Sequence, residues 1–427
     1  MMQTVHFPAL GEEYFQKTLK NGLHLRVIPK PGFAKKYAFL ALNYGAIDTD
    51  FRLSGENHMT PDGVAHFLEH KMFDMPYGDA MSRFADLGGS PNAFTSHTMT
   101  AYYVECTEKL EENLQTLLEF VFTPYFTQKS VDKEQGIIAQ EIRMYRDSAD
   151  SQVYDNLFSA MYAHHPIRVP IAGTEDSIRE ITAKTLELCH RAFYTPANAM
   201  LCVIGDVSAA EVLDWTERYL TAPAGEKARS HYGKVEGKTP VRQRTEDAME
   251  VAMPTFMAGF KDVPPLPGRP SMKKEFVGDL TADLLLGASA PLYSRLYEEG
   301  LIESSFSAGY EGMKGVSLFT FGGDSRQPDA VVERVLQETR RIQKEGIDPE
   351  LFGRLKKATV GRKLRELDSF ESTCFRMCAY FFEGSEYYDF YDVMQSVTQE
   401  DVQAYIAACL RPEQMALSVI RPQKEEE

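Results

Sequence analysis

No run of roughly eighteen apolar residues occurs anywhere in the 427-residue chain, so no segment reads as a helix able to span a bilayer. Basic residues are in deficit: 46 Lys and Arg face 62 Asp and Glu, a net charge of −16. A nucleic-acid partner would want a basic face, and this balance argues against one. It is mildly compatible with a cationic peptide substrate, but more often such a balance only reflects a solvated acidic surface. Cysteine is sparse. Cys106, Cys189, Cys202, Cys374, Cys378 and Cys409 are scattered without a paired zinc spacing. Cys374 and Cys378, four apart on an expected helix, read as core or free thiols. The first residues, Met-Met-Gln-Thr-Val-His-Phe, lack a basic segment followed by an apolar run. No signal peptide is read there, and a reducing cytoplasm is the expected setting.

What is present is the composition of a folded protein, 43% hydrophobic and 25% charged. The length suits two domains of about 200 residues each. Asn21-Gly22 sits between two strand-like runs over 14–31 and predicts a hairpin. Further strand runs lie at 38–44, 92–96 and 100–106, with His97 in the turn between the last two. As a turn residue His97 reads as solvated before it reads as a ligand. Short helices are expected at 81–87 and 108–122. Residues 221–244 are rich in Gly, Pro and charge without hydrophobic period, which marks a linker. The division expected is 1–225, a linker at 226–244, and 245–427.

Residues 60–74 carry the chemistry. Thr60 and Pro61 predict a helix start. On that helix His66 and His70 are four apart and share a face. Glu69 points close to the same side, while Val64, Phe67, Leu68 and Met72 can pack against a core. Two imidazoles one turn apart can hold a zinc ion from one side, and a carboxylate beside them can take a proton from water. The spacing is H-x-x-E-H, the inverse of the commoner H-E-x-x-H. Two chance histidines beside an acid would look the same. A third ligand elsewhere would decide between these readings.

A second stretch, 130–147, predicts a helix capped by Ser130. Glu134 and Glu141 lie seven apart on it, on a stripe shared with Ile137 and Ile138. Burying an unpaired carboxylate costs several kcal/mol, so a compensating cation is expected. A zinc ion on His66 and His70 would serve, as would an Arg or Lys from a neighbouring helix.

Taken together, three stretches resemble the pitrilysin-type zinc peptidases, the inverzincins that include mitochondrial processing peptidase and insulin-degrading enzyme. These are His66-Phe67-Leu68-Glu69-His70, then Gly88 and Gly89 with Asn92-Ala93-Phe94-Thr95, then Glu134 to Glu141. The resemblance continues through His165-Pro166, Gly173-Thr174, 193–198 and 203–206. It implies one Zn2+ per chain, held by His66, His70 and Glu141. It implies Glu69 as general base and Glu134 as the acid that orients a ligating histidine. Asn92, Ala93 and Phe94 would align a substrate backbone on a strand edge, where main-chain bonds read extended shape. From spacing alone, Phe94 reads equally as core and Asn92 as a turn residue.

The second half looks like a worn copy of the first. Residues 290–300 echo 77–88, and 411–420 echo 195–204. The fold class expected is therefore α+β, two homologous repeats, each a mixed, mostly antiparallel sheet covered by helices on one face. Helices are expected at 273–287 and 329–345, and a hairpin at 308–322 turning at 311–315. The aromatic-rich 370–391 reads as core and interface packing. The acidic tail 424–427 reads as frayed. Only the first repeat carries H-x-x-E-H.

One departure stands out. Single-chain relatives place an arginine, then a tyrosine about two helical turns on, opposite the zinc. Here those positions fall near Tyr297 and Ser304, with Arg295 and Tyr310 at other spacings. The chain is also half the size of the closed, clam-like members. The resemblance then implies a second, similar subunit that supplies the clamp, as a metal-less heterodimer partner or a second copy. The function expected is a zinc endopeptidase acting on extended peptides; the alternatives are a non-catalytic scaffold of the same fold and a different zinc hydrolase.

Overall fold

A computed structural model describes residues 2–423; the acidic tail at 424–427 lies outside the described residues. The chain forms two compact units. The first runs to Ile142 and adds Pro170–Tyr232 and Arg365–Phe382. The second takes Arg143–Val169, Gly233–Leu364 and the chain from Glu383 on. Each unit thus holds one helix from the other's half of the sequence, where two consecutive spans were expected.

Seven strands of the first unit form one sheet: β1 (Gln3–Phe7), β2 (Glu12–Thr18), β3 (His24–Pro29), β4 (Lys36–Leu42), β5 (Ser90–Thr95), β6 (Thr100–Cys106) and β7 (Ala199–Gly205). Their order is β1-β2-β3-β7-β4-β6-β5, antiparallel except where β7 runs parallel to β3. Gly22, with φ 90°, makes the predicted β2–β3 turn. The central strands β4 and β7 are buried along nearly their whole length, with Lys36 alone part-exposed, as their near-continuous apolar sequence requires. Both faces are covered, not one. Leu25, Val27, Leu40, Leu201 and Val203 join Leu114, Leu117 and Leu186 from the helices Leu110–Phe122 and Ala183–Phe193 in one core. On the opposite face Arg26 meets Met377 of the helix Phe370–Phe382, and Cys374 and Cys378 are fully buried. Strand β5 ends the sheet and leaves one edge unpaired within it.

The second unit repeats the plan. Strands β8 (Arg244–Met249), β9 (Thr255–Lys261), β10 (Ser307–Met313), β11 (Val316–Asp324) and β12 (Met415–Pro422) take the order β8-β12-β9-β11-β10. Strand β12 runs parallel to β8 and antiparallel to β9. This is the order and sense of β3-β7-β4-β6-β5. Both central strands also follow a 3-10 turn begun by proline, Pro196–Asn198 and Pro412–Gln414. The fold is α+β and built from two repeats, as expected. The hairpin turns at Lys314 and Gly315, a tighter turn than expected, and Gly315 takes φ 77° there. The aromatic residues Phe370, Tyr387, Tyr388 and Phe390 are core. Among the described residues no helix is long and apolar enough to cross a membrane.

Candidate metal centre

The first component is the helix Val64–Met72, and it begins later than its capping residues suggest. Thr60 does not cap it; its hydroxyl donates to the Thr49 carbonyl at 3.2 Å. The N-cap is Gly63, in the left-handed region at φ 85°. A Cβ there would stand 2.4 Å from the Ala172 carbonyl oxygen, so the chain needs glycine to enter the helix at this angle. Val64, Phe67, Leu68 and Met72 are buried in the core, which turns His66, Glu69 and His70 the other way. The second component is the helix Gln128–Arg146. Ser130 lies inside it, and its N–H bonds back to Thr127, which does the capping expected of Ser130. Ile138 is buried but Ile137 is 47% exposed, so the stripe of Glu134 and Glu141 is half apolar at most. Gln135 ties the helix down by donating to the carbonyls of Ile178 and Ile181.

The two helices bring His66, His70 and Glu141 together, and their ligand atoms lie within 4.8 Å of one another. Nε2 of His66 is 3.6 Å from Glu141 Oε1, and Nε2 of His70 is 3.6 Å from Oε2. These separations are too long for hydrogen bonds. They suit donors that share one ion: bonds of about 2.0–2.2 Å in tetrahedral array put two ligand atoms about 3.3–3.6 Å apart. Two imidazoles and a carboxylate also form a donor set that suits zinc, with a fourth position left over. The residues therefore fit a bound metal ion. Among the described residues this is the one such cluster.

Around this trio the supporting contacts are specific. His70 Nδ1 lies 3.2 Å from Glu134 Oε1. His66 Nδ1 is buried with no hydrogen-bond partner among the described residues, and Nε2 is the ring nitrogen that faces Glu141. Glu69 is buried, and its Oε2 accepts a hydrogen bond from the Thr95 hydroxyl at 2.8 Å. Burial raises the Glu69 carboxyl above its usual range, against the opposing pull of Thr95 and the two histidines. For His70, burial works to lower the pKa, but the Glu134 bond and the charges of Glu69 and Glu141 outweigh it and the imidazole is raised. Glu134 is held below its ordinary value: burial pushes it up, while the bond to His70 and the Lys71 ammonium push harder down.

The expected substrate residues lie on β5, the strand that also supplies Thr95. Asn92 is exposed; its Oδ1 accepts from the Ala93 N–H at 2.9 Å. Phe94 packs among Phe39, Tyr103 and Phe375 with ring centroids 6.2, 6.4 and 5.8 Å away. Sequence reasoning missed Lys71 and gave Thr95 no role. The signal for Lys71 was there, an acid three residues on at Asp74, the spacing of an ion pair on one helical face. His97 lies in the β5–β6 turn and outside the cluster. In the second unit Arg295 pairs with Glu338 at 3.3 Å and the Tyr310 hydroxyl with Ser317 at 2.9 Å, so both have structural partners. Tyr297 is exposed.

Residues 54–175 match the family described as insulinase (peptidase family M16), and residues 180–359 match the peptidase M16 inactive domain. The chain is 35% identical over 427 residues to the uncharacterized zinc protease YmfH of Bacillus subtilis (strain 168), taking in 99% of this chain and 100% of that one. It superposes on the crystal structure of an M16-like peptidase from Alicyclobacillus acidocaldarius with a TM-score of 0.93 and 34% identity, over 98% of this chain and 100% of that chain. Pitrilysin shares the fold, with a TM-score of 0.78 and 16% identity over 100% of this chain and 47% of that one. A relative matched along essentially its whole length, together with two family matches that follow one another along the sequence, leaves one conclusion: the chain belongs to the M16 peptidase family.

Proposed function

We infer that the protein is a zinc-dependent endopeptidase. The observation that carries this reading is the convergence of His66, His70 and Glu141 from two helices at separations suited to one tetrahedral ion. These three residues would hold one zinc per chain, and Glu134 would fix the tautomer and orientation of His70 through Nδ1. When bound, zinc supplies Lewis acidity, which acidifies water and polarises a carbonyl. Glu69 is the general base. Thr95 holds its carboxylate beside the imidazoles, and burial gives it a proton affinity suited to taking a proton from water and passing it to the leaving amine. The substrate is an extended peptide added beside β5 along Asn92, Ala93 and Phe94, where the sheet ends.

A second family subunit, a metal-less relative or another copy of this chain, completes the site. Arg295 and Tyr310 have structural partners of their own, and the chain aligns with 47% of pitrilysin. A reducing, cytoplasmic setting accords with six buried, unpaired cysteines.

The test is Glu69→Gln. The variant should retain one zinc per chain and lose peptide cleavage by about 10²-fold or more. Normal cleavage by a zinc-loaded variant would remove Glu69 from this role. Cleavage by wild-type protein that carries no metal would remove the zinc mechanism altogether.

A further inference from the structure

Lys71 follows His70 directly, and the proposed mechanism makes no use of it. Its side chain is 1% exposed, which is rare for a lysine. The ammonium touches Asp74 and lies 3.6 Å from Glu134 Oε2. The other oxygen of Glu134 faces His70 Nδ1 at 3.2 Å. One carboxylate therefore stands between a resident cation and an imidazole that faces the metal cluster. Three glutamates, Glu69, Glu134 and Glu141, converge on this small and largely buried region.

We propose that Lys71 is a built-in counter-ion that competes with the metal for the negative charge of this cluster, supporting the metal-free fold at the expense of metal affinity. Two cations set in one cluster of carboxylates repel each other and each weakens the hold on the other, and the effect is reciprocal. An opposing effect would be positional: Lys71 could fix Glu134 and so help His70 to bind. That contribution is the smaller one, because Glu134 is already placed by its helix and by its own bond to His70. Asp74 is half exposed and can turn to solvent if the ammonium is removed. The charge effect remains and sets the sign.

The inference rests on the metal site proposed above, and its test does not depend on catalysis. Lys71→Met keeps an unbranched chain of similar length and removes the charge. Zinc Kd is measured by competition with a chromogenic chelator, and thermal unfolding is followed with and without zinc. Lys71→Met should bind zinc about 5- to 150-fold more tightly than wild type. Its zinc-free form should lose more Tm than its zinc-loaded form, and Lys71→Arg should keep the wild-type Kd. In a Glu134→Gln background the effect of Lys71→Met on Kd should shrink. An unchanged or weaker Kd for Lys71→Met overturns the proposal, as does an equal loss of Tm in both forms, which packing alone would give. If Lys71→Met fails to fold, Lys71→Gln is read by the same criteria. Wild-type protein that binds no zinc would sink the metal site and this inference together; zinc-binding wild type with an indifferent Lys71→Met sinks this inference alone.

Discussion

At the scale of single residues, what a side chain does is set by what surrounds it. His190 shows this away from the metal cluster. It is buried, its Nε2 lies 3.1 Å from the Val121 carbonyl, and its ring stacks on Tyr194 at 4.9 Å. Burial depresses its pKa to about 4, only partly opposed by the Val121 bond. The unfolded chain therefore takes up the proton first as pH falls. The stabilisation is complete above about 6.5 and is lost progressively down to about 4. The loss is on the order of 3 kcal/mol. A His190→Phe variant should show a flatter stability profile across that window in urea titrations at several pH values. A variant as acid-sensitive as wild type would show that His190 is not the group responsible. The same contrast between local and distant information explains what could be read of the metal cluster. His66, Glu69 and His70 are legible because four residues on a helix fix their relation. That Glu141 meets them is tertiary, and spacing alone left an Arg or Lys partner open, more readily for one glutamate than for two. In the structure Glu134 faces Lys71 and Glu141 faces the histidines.

At the scale of elements, the helix Val64–Met72 depends on how it is entered. Thr60 and Pro61 satisfy every local rule for a helix start, and packing overrules them, because the chain passes against Ala172 and Gly173 before it can turn. Gly63 takes that position at a positive φ without a side chain to collide. Gly63→Ala should destabilise the protein by at least about 2 kcal/mol, from strain and overlap together. Because the same helix carries both histidines, zinc affinity should fall with it. Denaturant midpoints and zinc content check both. An unaffected variant would mean that the helix can begin elsewhere. The helix Gln128–Arg146 was legible in its C-terminal end and in the seven-residue spacing of its glutamates, though not in its cap, which is Thr127 in place of Ser130. Its buried side was not, since Ile137 and Ile138 differ by one position and only the packing chooses between them.

At the scale of the whole molecule, the repeat is visible in sequence as two pairs of echoes and in structure as one strand order used twice. What no local signal announces is the exchange. The helix Ala149–Met161 belongs to the second unit and the helix Phe370–Phe382 to the first. Cys374, Met377 and Cys378 are buried in the first unit, so a fragment 1–225 would leave that face of its sheet uncovered. Expressed alone, the fragment should aggregate or unfold without cooperativity, and joining 365–382 to it should improve both. A stable, cooperative 1–225 fragment would favour the consecutive division over the exchanged one. The zinc centre remains the point on which the functional account turns. X-ray absorption at the zinc edge of the purified, metal-loaded chain tests it most directly. One zinc per chain is expected, with two imidazole nitrogens and a carboxylate oxygen at about 2.0–2.2 Å, and with loss of the oxygen in Glu141→Ala. Sulfur at about 2.3 Å, or a spectrum indifferent to Glu141, would contradict it.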